Sequence, residues 1–479
     1  MRRIPLQVLG LIFFVTAVRV ALTLTTELTG VEAYLWLSAK HPSLGYFDFP
    51  GMQAWVGALS VSILGDTPLG VRGGMIACGA LTIWLAFLTG RRLYDEKVGR
   101  LAAAGIALAP MFFTGGLEAK PDAPLLMFWM ATVWAIAHAL AGDSPRWWYL
   151  GGLFLGLAVE SKYHAVFLGF GIPAFLAFSP DHRHWLRRKE PWLAVAIALA
   201  AFAPTLIWNA QHHWESFLYQ SVARTEEGSF KADQLYKFPI RQLRLVTPVL
   251  CLWAWGSGIL AFTRWKQADW RERYLAAVGL PILVFFLLML FATQIKGYWP
   301  GPGYLSLLVL SSAVVLRGGV WGRRLHVASF VVLVVFHLAV PGVIVATVPA
   351  EERRSWERFA REISRDPADF LVCDEYHLAS QLAFHRRSLD VWDFSPVDRG
   401  VKSYRNWWSP ARYAGKNATI VYQTNPPSPA DLEHVRTFFE RVDPLVEVTV
   451  PRPRFPLLKD NENKEKYFIQ RAWNYRRSP

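Results

Sequence analysis

Residues 1–25, MRRIPLQVLGLIFFVTAVRVALTLT, decide the class of fold. Two arginines precede an apolar run of about 20 residues, the length with which a helix crosses a bilayer. A basic start followed by an apolar run also occurs in signal peptides, but this run is too long for one and no clear small-residue cleavage site follows it. We therefore predict an uncleaved first transmembrane helix, from about Ile4 to Thr25, that begins in the cytoplasm.

The composition of the chain is that of a membrane protein. Of its 479 residues, 53% are hydrophobic and only 18% are charged, whereas soluble chains carry about a quarter of charged residues. The net charge of +14 comes from basic residues that gather in short loops between apolar runs, which indicates membrane topology and not nucleic-acid binding. Cys78, Cys251 and Cys373 are far apart in the chain and indicate neither a disulfide framework nor a metal cluster.

Apolar runs recur as far as residue 348, and basic loops follow every second run. This regularity predicts about eleven spans, with a margin of two where Pro and Gly interrupt the runs. The predicted spans are about 4–25, 69–88, one ending near 114, 123–140, one ending near 159, a sixth that ends before 181, 192–207, 246–262, 275–291, one ending at 317, and 327–348. We expect a membrane domain, 1–348, whose first outer loop is 26–68.

The last part of the chain, 349–479, has the composition of a soluble domain. Amphipathic stretches such as SWERFAREISRD alternate with short apolar stretches such as ATIVYQT and VEVTV. This alternation predicts a small α/β domain outside the membrane. The predicted fold class is thus a polytopic α-helical membrane protein with a carboxy-terminal α/β domain.

The segment after the first span, GVEAYLWLSAKHPSLGYFDFPGMQAW at 30–55, carries Glu32, Lys40, His41, Tyr46 and Asp48 among aromatic residues. A polar segment with Pro and Gly beside a span is often only a connector. Here four more polar clusters fall on the same, outer side of the predicted membrane. The five clusters are 32–48, 118–122, 160–164, 208–224 and 294–304.

Ionisable groups near a membrane are expected to face a cavity and to pair with one another. Each cluster alone can be an interfacial anchor or an internal ion pair, but five on one side predict a site. Carboxylates there can take a proton from an attacking acceptor, basic residues can neutralise a phosphate leaving group, and aromatic residues can stack on sugar rings. The candidate catalytic carboxylates are Glu32, Asp48 and Asp122. The candidate substrate-binding residues are Lys40, His41, Tyr46, Glu118, Lys120, Lys162, Tyr163, His212, His213, Arg224, Lys296 and Trp299.

A metal site is the less favoured interpretation of the histidines. His212 and His213 are adjacent, so in a helix they would point about 100° apart and would not both bind one ion easily. We assign no metal ligand and no certain cofactor, although one of these histidines with Asp48 leaves a divalent metal possible.

Several of these motifs, in this order, resemble a known family. They are EAYLWLSAKHPSLGYFDFPGMQAW at 32–55, PDAPLL at 121–126, SKY at 161–163, WNAQHHW at 208–214 and KGYWPGPGY at 296–304. The set looks like the bacterial members of the protein O-mannosyltransferase and aminoarabinose lipid A transferase superfamily. The resemblance covers nearly all of the membrane part. It implies the GT-C architecture, a polyprenyl-phosphate sugar donor, a periplasmic active site and a small periplasmic carboxy-terminal domain.

The first loop departs from that family at important positions. The family usually has Asp-Glu before Ala-Tyr, and the resemblance implies that this Asp is the catalytic carboxylate, but Val31 stands there before Glu32. The base is then Glu32, Asp48 or Asp122, or the chemistry has changed. The Lys or His that the family places in this loop is Phe49 here, so Lys40, Lys120 or Lys296 would supply the phosphate contact.

The leading hypothesis is an inner-membrane glycosyltransferase that moves a sugar from undecaprenyl phosphate to a lipid, glycan or protein acceptor on the periplasmic side. A transporter of a lipid-linked glycan is an alternative, although no internal repeat of hydropathy and no matching pair of broken helices is evident. A catalytically inactive relative that acts as a binding subunit is a second alternative, because of Val31. Substitution of Asp122 or Glu32 separates an enzyme from a structural role.

Overall fold

The computed structural model describes most of the chain. The described residues are 5–142, 144–223, 230–347, 355–364, 368–393, 403–407, 409–423, 426–451 and 464–476. Helices dominate as far as residue 347, and a β-sheet follows.

Ten helices are described as far as residue 211. They are α1 (Leu6–Thr25), α2 (Gly30–Lys40), α3 (Met52–Leu64), α4 (Pro68–Leu93), α5 (Glu96–Leu108), α6 (Pro110–Gly115), α7 (Asp122–Leu140), α8 (Arg146–Ser161), α9 (Val166–Phe178) and α10 (Lys189–Gln211). Among the described residues from 212 to 347, six more follow: α11 (Glu215–Leu218), α12 (Gln234–Val246), α13 (Pro248–Thr263), α14 (Trp270–Met289), α15 (Gly301–Arg317) and α16 (Val320–Thr347).

Among the described residues, six helices are long and apolar enough to cross a membrane: α1, α4, α7, α10, α14 and α16. The pair α12 and α13 gives a seventh if it is taken as one bent span. The prediction of a helical polytopic membrane protein is confirmed. Each of the eleven predicted spans coincides with a helix or a helix pair, but several of these helices have 17 residues or fewer. The count of eleven stays a prediction.

The short helix α6 lies between α5 and the loop that precedes α7. Pro110 lacks an N–H, so it follows the end of α5 and occupies the first turn of α6. The buried Arg19 of α1 donates to the carbonyl oxygens of Phe112 (2.8 Å) and Phe113 (3.1 Å) near the end of α6. The Phe113 carbonyl is at a helix end, where intrahelical donors run out, whereas the Phe112 carbonyl also accepts from the N–H of Gly116. The two bonds fix the position from which residues 116–121 lead into α7.

Helices α8 and α10 pack closely because α8 presents glycines to its neighbour. A Cβ at Gly152 would lie 2.7 Å from the Cα of Ala194, and one at Gly156 would lie 2.4 Å from the carbonyl oxygen of Ala198. Residues 152, 156 and 160 are spaced by four and share one face of a helix. The same face therefore carries the Glu160 side chain, one turn beyond the glycines, towards α10.

The described residues of the carboxy-terminal region form four helices and a six-stranded mixed sheet. The helices are α17 (Ser355–Ile363), α18 (Tyr376–Arg386), α19 (Tyr404–Trp407) and α20 (Pro429–Phe438). The strands are β1 (Phe370–Cys373), β2 (Val391–Asp393), β3 (Ala418–Gln423), β4 (Phe439–Val442), β5 (Val446–Pro451) and β6 (Lys464–Tyr475). The order is β2-β1-β3-β6-β4, with β5 also on β6; β1 is parallel to β2 and β3, and β6 is antiparallel to its three neighbours. The predicted mixture of helices and strands is confirmed here.

The chain divides into two compact units. The first contains 1–20, 43–56 and 74–338, and the second contains 21–42, 57–73 and 339–479. Within the second unit, the backbone N–H groups of Trp356 and Glu357 at the start of α17 each donate to the Glu27 carboxylate at 3.2 Å. The Gln381 side chain also donates to the carbonyl oxygen of Leu28 at 2.6 Å. The region from residue 355 onward therefore packs with residues 27 and 28, which follow α1 in the same unit.

Candidate active site

A charged cluster lies where α7 begins and α8 ends. The Lys162 ammonium lies 2.8 Å from the Asp122 carboxylate, and their side chains are 16% and 12% exposed. Asp122 is in the first turn of α7, where the helix dipole favours negative charge. Lys162 directly follows the last residue of α8, and its backbone is extended. A pair that is largely out of water interacts more strongly than a surface pair.

A second pair, Glu118 with Lys120, lies in the short loop before α7. Burial acts to lower the pKa of Lys120, but the Glu118 carboxylate, together with Tyr298 and Asp122, outweighs burial and raises it. Lys120 is therefore a cation at neutral pH.

Tyr298 lies near both lysines. The ammonium groups of Lys120 and Lys162 are 5.5 and 5.3 Å from the centre of its ring. Attraction of a cation to an aromatic face holds both side chains beside the ring. The cluster thus contains two cations, two carboxylates and one phenol, with both cations beside the same ring.

Asp48 lies in a loop that buried hydrogen bonds hold against α8 and α10. Glu160 is fully buried, and one of its carboxylate oxygens accepts from the backbone N–H of Gly51 (3.1 Å) and from the Thr205 hydroxyl (2.7 Å). The Gln220 side chain donates to the backbone carbonyl oxygen of Asp48 at 2.7 Å. These bonds fix the Asp48 backbone and leave its side chain partly exposed.

Gly51 is required where it stands. A Cβ at this position would lie 2.4 Å from the Trp55 ring and 2.9 Å from the carbonyl oxygen of Leu44. The loop is also closed by a backbone bond from the N–H of Tyr46 to the carbonyl oxygen of Phe49. Tyr46 is buried and stacks on Phe49 at 5.2 Å, so its ring packs within the loop.

Tyr163 and Trp299 lie near these groups. The charges of Glu160 and Asp48 both act on the Tyr163 phenol, whose oxygen is 2.9 Å from that of Ser216. Trp299 packs edge-on against His164 at 5.9 Å between ring centres. Asp48, Glu160 and Tyr163 thus belong to one neighbourhood in the first unit, as the sequence predicts for their clusters.

The remaining predicted site residues are His212, His213, Arg224 and Lys296. His212 stacks on Trp208 at 4.1 Å, and its Nδ1 lies 2.8 Å from the Trp208 carbonyl oxygen. His213 has a positive φ of 52°, and Lys296 is exposed. Arg224 lies outside the described residues. Over the described part of the chain, no group of three or more His, Cys, Asp or Glu side chains is arranged to hold a metal ion.

Glu32, Lys40 and His41 belong to the second unit. Glu32 is fully buried, and both of its carboxylate oxygens accept from Arg72, at 2.7 and 2.8 Å. Lys40 pairs with Asp66 at 2.7 Å. His41 stacks on Trp407 at 4.4 Å, and burial lowers its pKa. The buried Glu32–Arg72 pair is of a kind whose disruption is strongly destabilising.

Three residues of the site were not among the predicted site residues: Tyr298, Glu160 and Thr205. Tyr298 and Glu160 fall inside two of the polar clusters, so their positions were available from the sequence. No pattern singles out Thr205, an isolated hydroxyl in an apolar helix, because its partner Glu160 is 45 residues away.

Residues 48–208 match the model of the dolichyl-phosphate-mannose-protein mannosyltransferase family. This range contains Asp48, Lys120, Asp122, Glu160 and Lys162. Over this range the chain is similar to that family of membrane glycosyltransferases. The resemblance inferred from the sequence is thereby confirmed.

Curated relatives carry related names. The chain is 29% identical over 309 residues to an undecaprenyl phosphate-alpha-4-amino-4-deoxy-L-arabinose arabinosyl transferase of Pseudomonas aeruginosa, a match that covers 62% of this chain and 54% of the relative. It is 26% identical to the lipid A galacturonosyltransferase RgtD of Rhizobium johnstonii, over 58% of this chain and 59% of the relative. The chain thus spans between half and three fifths of the length of these relatives.

The fold is similar to a solved structure over nearly its whole length. The crystal structure of ArnT from Cupriavidus metallidurans bound to undecaprenyl phosphate aligns with a TM-score of 0.66 and 14% identity, over 95% of this chain and 97% of that one. The structure of the same protein in the apo state aligns with a TM-score of 0.64. At this identity the similarity establishes the shared fold.

Proposed function

We propose that this protein is a glycosyltransferase that transfers a sugar from a polyprenyl-phosphate donor to an acceptor nucleophile. The observation that carries the proposal is that Lys120 and Lys162 lie beside one aromatic ring, that of Tyr298, and that each is paired with a carboxylate. Both lysines are within the range that matches the family. Two cations beside one ring suit the binding of a phosphate group, and the acidic partners orient them before the donor binds.

The proposed reaction is a displacement at the anomeric carbon of the donor sugar. An acceptor oxygen or nitrogen forms a bond to that carbon while the bond from the carbon to the phosphate oxygen breaks. The proton of the acceptor passes to a carboxylate, and polyprenyl phosphate leaves with the electron pair. Cations aimed at the phosphate stabilise the charge that develops on the leaving group.

We assign the proton acceptor to Asp48. Its side chain is partly exposed, and its backbone is fixed by Gln220. Asp122 accepts a hydrogen bond from Lys162, and Glu32 pairs with Arg72. Asp122 then acts as the residue that positions Lys162. A base must lie within reach of the acceptor proton, and Asp48 offers a partly exposed carboxylate in a fixed loop.

We further propose the predicted topology. The eleven predicted spans cross the inner membrane of a bacterium, and the basic loops lie in the cytoplasm. The site and the region from residue 349 onward lie in the periplasm. The donor is undecaprenyl phosphate that carries a sugar, and the acceptor is a lipid of the lipid A class, as the names of the relatives suggest. Another lipid, a glycan or a protein remains an alternative acceptor.

The experiment that tests the proposal is a transfer assay. Purified protein in lipid vesicles is supplied with radiolabelled polyprenyl-phosphate sugars and extracted acceptors, and label in the acceptor is measured. We expect transfer by the unaltered protein and none by Asp48→Asn or Asp122→Asn. Asp269→Asn is the matched control, because Asp269 caps α14 with an oxygen that asparagine also provides.

Two results would overturn the proposal. Folded protein that transfers label from none of the donors is not a transferase of this type. Folded protein that moves unchanged donor across the vesicle membrane is a transporter. Size-exclusion chromatography and the thermal midpoint of each variant separate lost chemistry from lost folding.

A further inference from the structure

Helix α12 has three distinct faces. The residues that point into the protein are spaced by four: Gln234, Phe238, Gln242 and Val246, each with 6% exposure or less. A second face is apolar and exposed, and it carries Tyr236 and Ile240 at 59% and 44% exposure. The third face is basic and consists of Lys237, Arg241 and Arg244. At 3.6 residues per turn, the exposed apolar face and the basic face are adjacent.

The basic face is not balanced by acidic residues of its own helix. The sequence QLYKFPIRQLRLV of α12 contains no Asp or Glu. Asp233, which directly precedes the helix, pairs with Lys237 at 2.5 Å. Arg241 donates to the Gln234 side chain at 3.2 Å, which orients the guanidinium without neutralising it. The helix therefore presents a net positive charge beside an apolar surface.

A fixed bend joins α12 to the apolar helix α13. The two helix axes differ by 106°. Thr247, between them, has φ 73° and ψ 149° and caps α13, whose first residue is Pro248. A proline cannot continue the preceding helix, and a φ in this region is rare for residues other than glycine. If α13 runs along the bilayer normal, α12 lies nearly in the plane of the membrane.

Helix α12 also contacts the loop that holds Tyr298. The Gln242 side chain donates to the carbonyl oxygen of Gly297 at 2.8 Å. A Cβ at Gly297 would lie 2.9 Å from the Leu245 side chain, so the loop backbone lies directly on the helix. The position of α12 therefore influences the position of the Tyr298 loop.

From these features we propose that α12 is a membrane-surface helix that binds anionic phospholipids. Its exposed apolar face enters the boundary between headgroups and acyl chains, and its basic face contacts lipid phosphates. An apolar face beside a Lys/Arg-rich face is the pattern of helices that lie in the membrane interface. Each basic residue near an anionic surface strengthens binding by about fivefold. This proposal does not depend on the proposed transfer reaction.

Hydrogen exchange in nanodiscs tests the proposal directly. The full chain is placed in nanodiscs of phosphatidylcholine alone or of phosphatidylcholine mixed with phosphatidylglycerol, and exchange of the amides of 234–246 is measured by mass spectrometry. We expect at least a several-fold slower exchange with phosphatidylglycerol. The triple variant K237Q/R241Q/R244Q should lose this difference, while R436Q/R441Q/K466Q, with the same charge change in the second unit, should keep it.

Salt provides a test that needs no substitution. In the unaltered protein, raised ionic strength should remove the protection that phosphatidylglycerol gives, because attraction between exposed charges is screened. Equal exchange in the two lipid mixtures, or a difference that salt leaves unchanged, would overturn the proposal. Protection that persists in the triple variant would also overturn it.

Discussion

At the scale of single residues, Lys162 is the cation whose role is most open to measurement. Lys162→Gln removes the charge beside Asp122 and Tyr298, and we expect the transfer rate to fall roughly 10²–10³-fold, as when one charge-stabilising donor is removed from an active site. Lys162→Arg should retain part of the activity, because it keeps the charge but not the shape of the ammonium group. The measurement is initial rate at saturating donor.

The matched control for Lys162 is Lys266→Gln, which removes an exposed lysine between α13 and α14. It should leave the rate unchanged. Full activity of folded Lys162→Gln would show that Lys162 does not take part in transfer, and Lys120 would then be the phosphate ligand.

Glu27 lies between α1 and α2, and we expect it to make the free energy of unfolding depend on pH. Burial raises its pKa to about 7, although the backbone N–H groups of Trp356 and Glu357 act in the opposite direction. The folded protein then holds the proton to higher pH than the unfolded chain does. Stability is therefore full below the ordinary glutamate pKa and is lost as the pH rises towards about 7. With allowance for partial exposure, the loss is roughly 1–3 kcal/mol.

The measurement is the free energy of unfolding between about pH 5 and pH 8 for the unaltered protein and for Glu27→Gln. Glutamine keeps an oxygen that accepts from the start of α17 but does not ionise in this range, so its profile should be flatter. Identical profiles for the two proteins would show that Glu27 does not titrate in this range.

At the scale of elements, the contact of α8 with α10 connects packing with the site. Gly156→Val places side-chain atoms where the Ala198 backbone lies, so we expect the helices to separate and the protein to lose about 1–3 kcal/mol of stability. Because Glu160 is one turn further along α8 and bonds Thr205 of α10, transfer activity should fall as well.

Gly169→Ala is the control for this packing prediction. Gly169 lies in α9, and a Cβ there has no atom within 4 Å. Alanine favours helix over glycine by about 1 kcal/mol, so this variant should be as stable as the unaltered protein or more so. A thermal midpoint for Gly156→Val equal to that of Gly169→Ala would contradict the packing argument.

At the scale of the whole molecule, the second unit combines segments that are far apart in the sequence. Glu27 caps α17, Gln381 bonds Leu28, and the Ser403 backbone N–H donates to the Tyr34 hydroxyl at 3.2 Å. A fragment of 349–479 lacks all of these partners, so we expect it to be less stable by several kcal/mol than the same region in the full chain.

Limited proteolysis and the thermal midpoint of the isolated fragment, compared with the full chain, test this expectation. The same comparison tests the predicted domain boundary at residue 349. A fragment as resistant to protease and heat as the intact region would show that the boundary is that of an independent domain and that the contacts with residues 27–34 add little.

Much of this organisation follows from the sequence. The span lengths, the basic loops and the change of composition after residue 348 are local patterns, and water and lipid sort such patterns without reference to distant residues. They predicted a polytopic helical protein followed by helices and strands. The same local patterns gave the ordered motifs that resemble the family. The pairing of Asp122 with Lys162 joins two of these motifs, and both residues were predicted for the site.

Only the tertiary structure decided which charged groups are partners. Glu32, Lys40 and Asp48 share one stretch of sequence, yet Glu32 is buried against Arg72 and Lys40 is paired with Asp66, while the Asp48 loop bonds α8 through Glu160. A sequence shows that a carboxylate is present but not whether a distant cation neutralises it. Tyr298 and Thr205 were missed for the same reason. Their roles come from groups 45 to 178 positions away, which packing alone brings within a few ångströms.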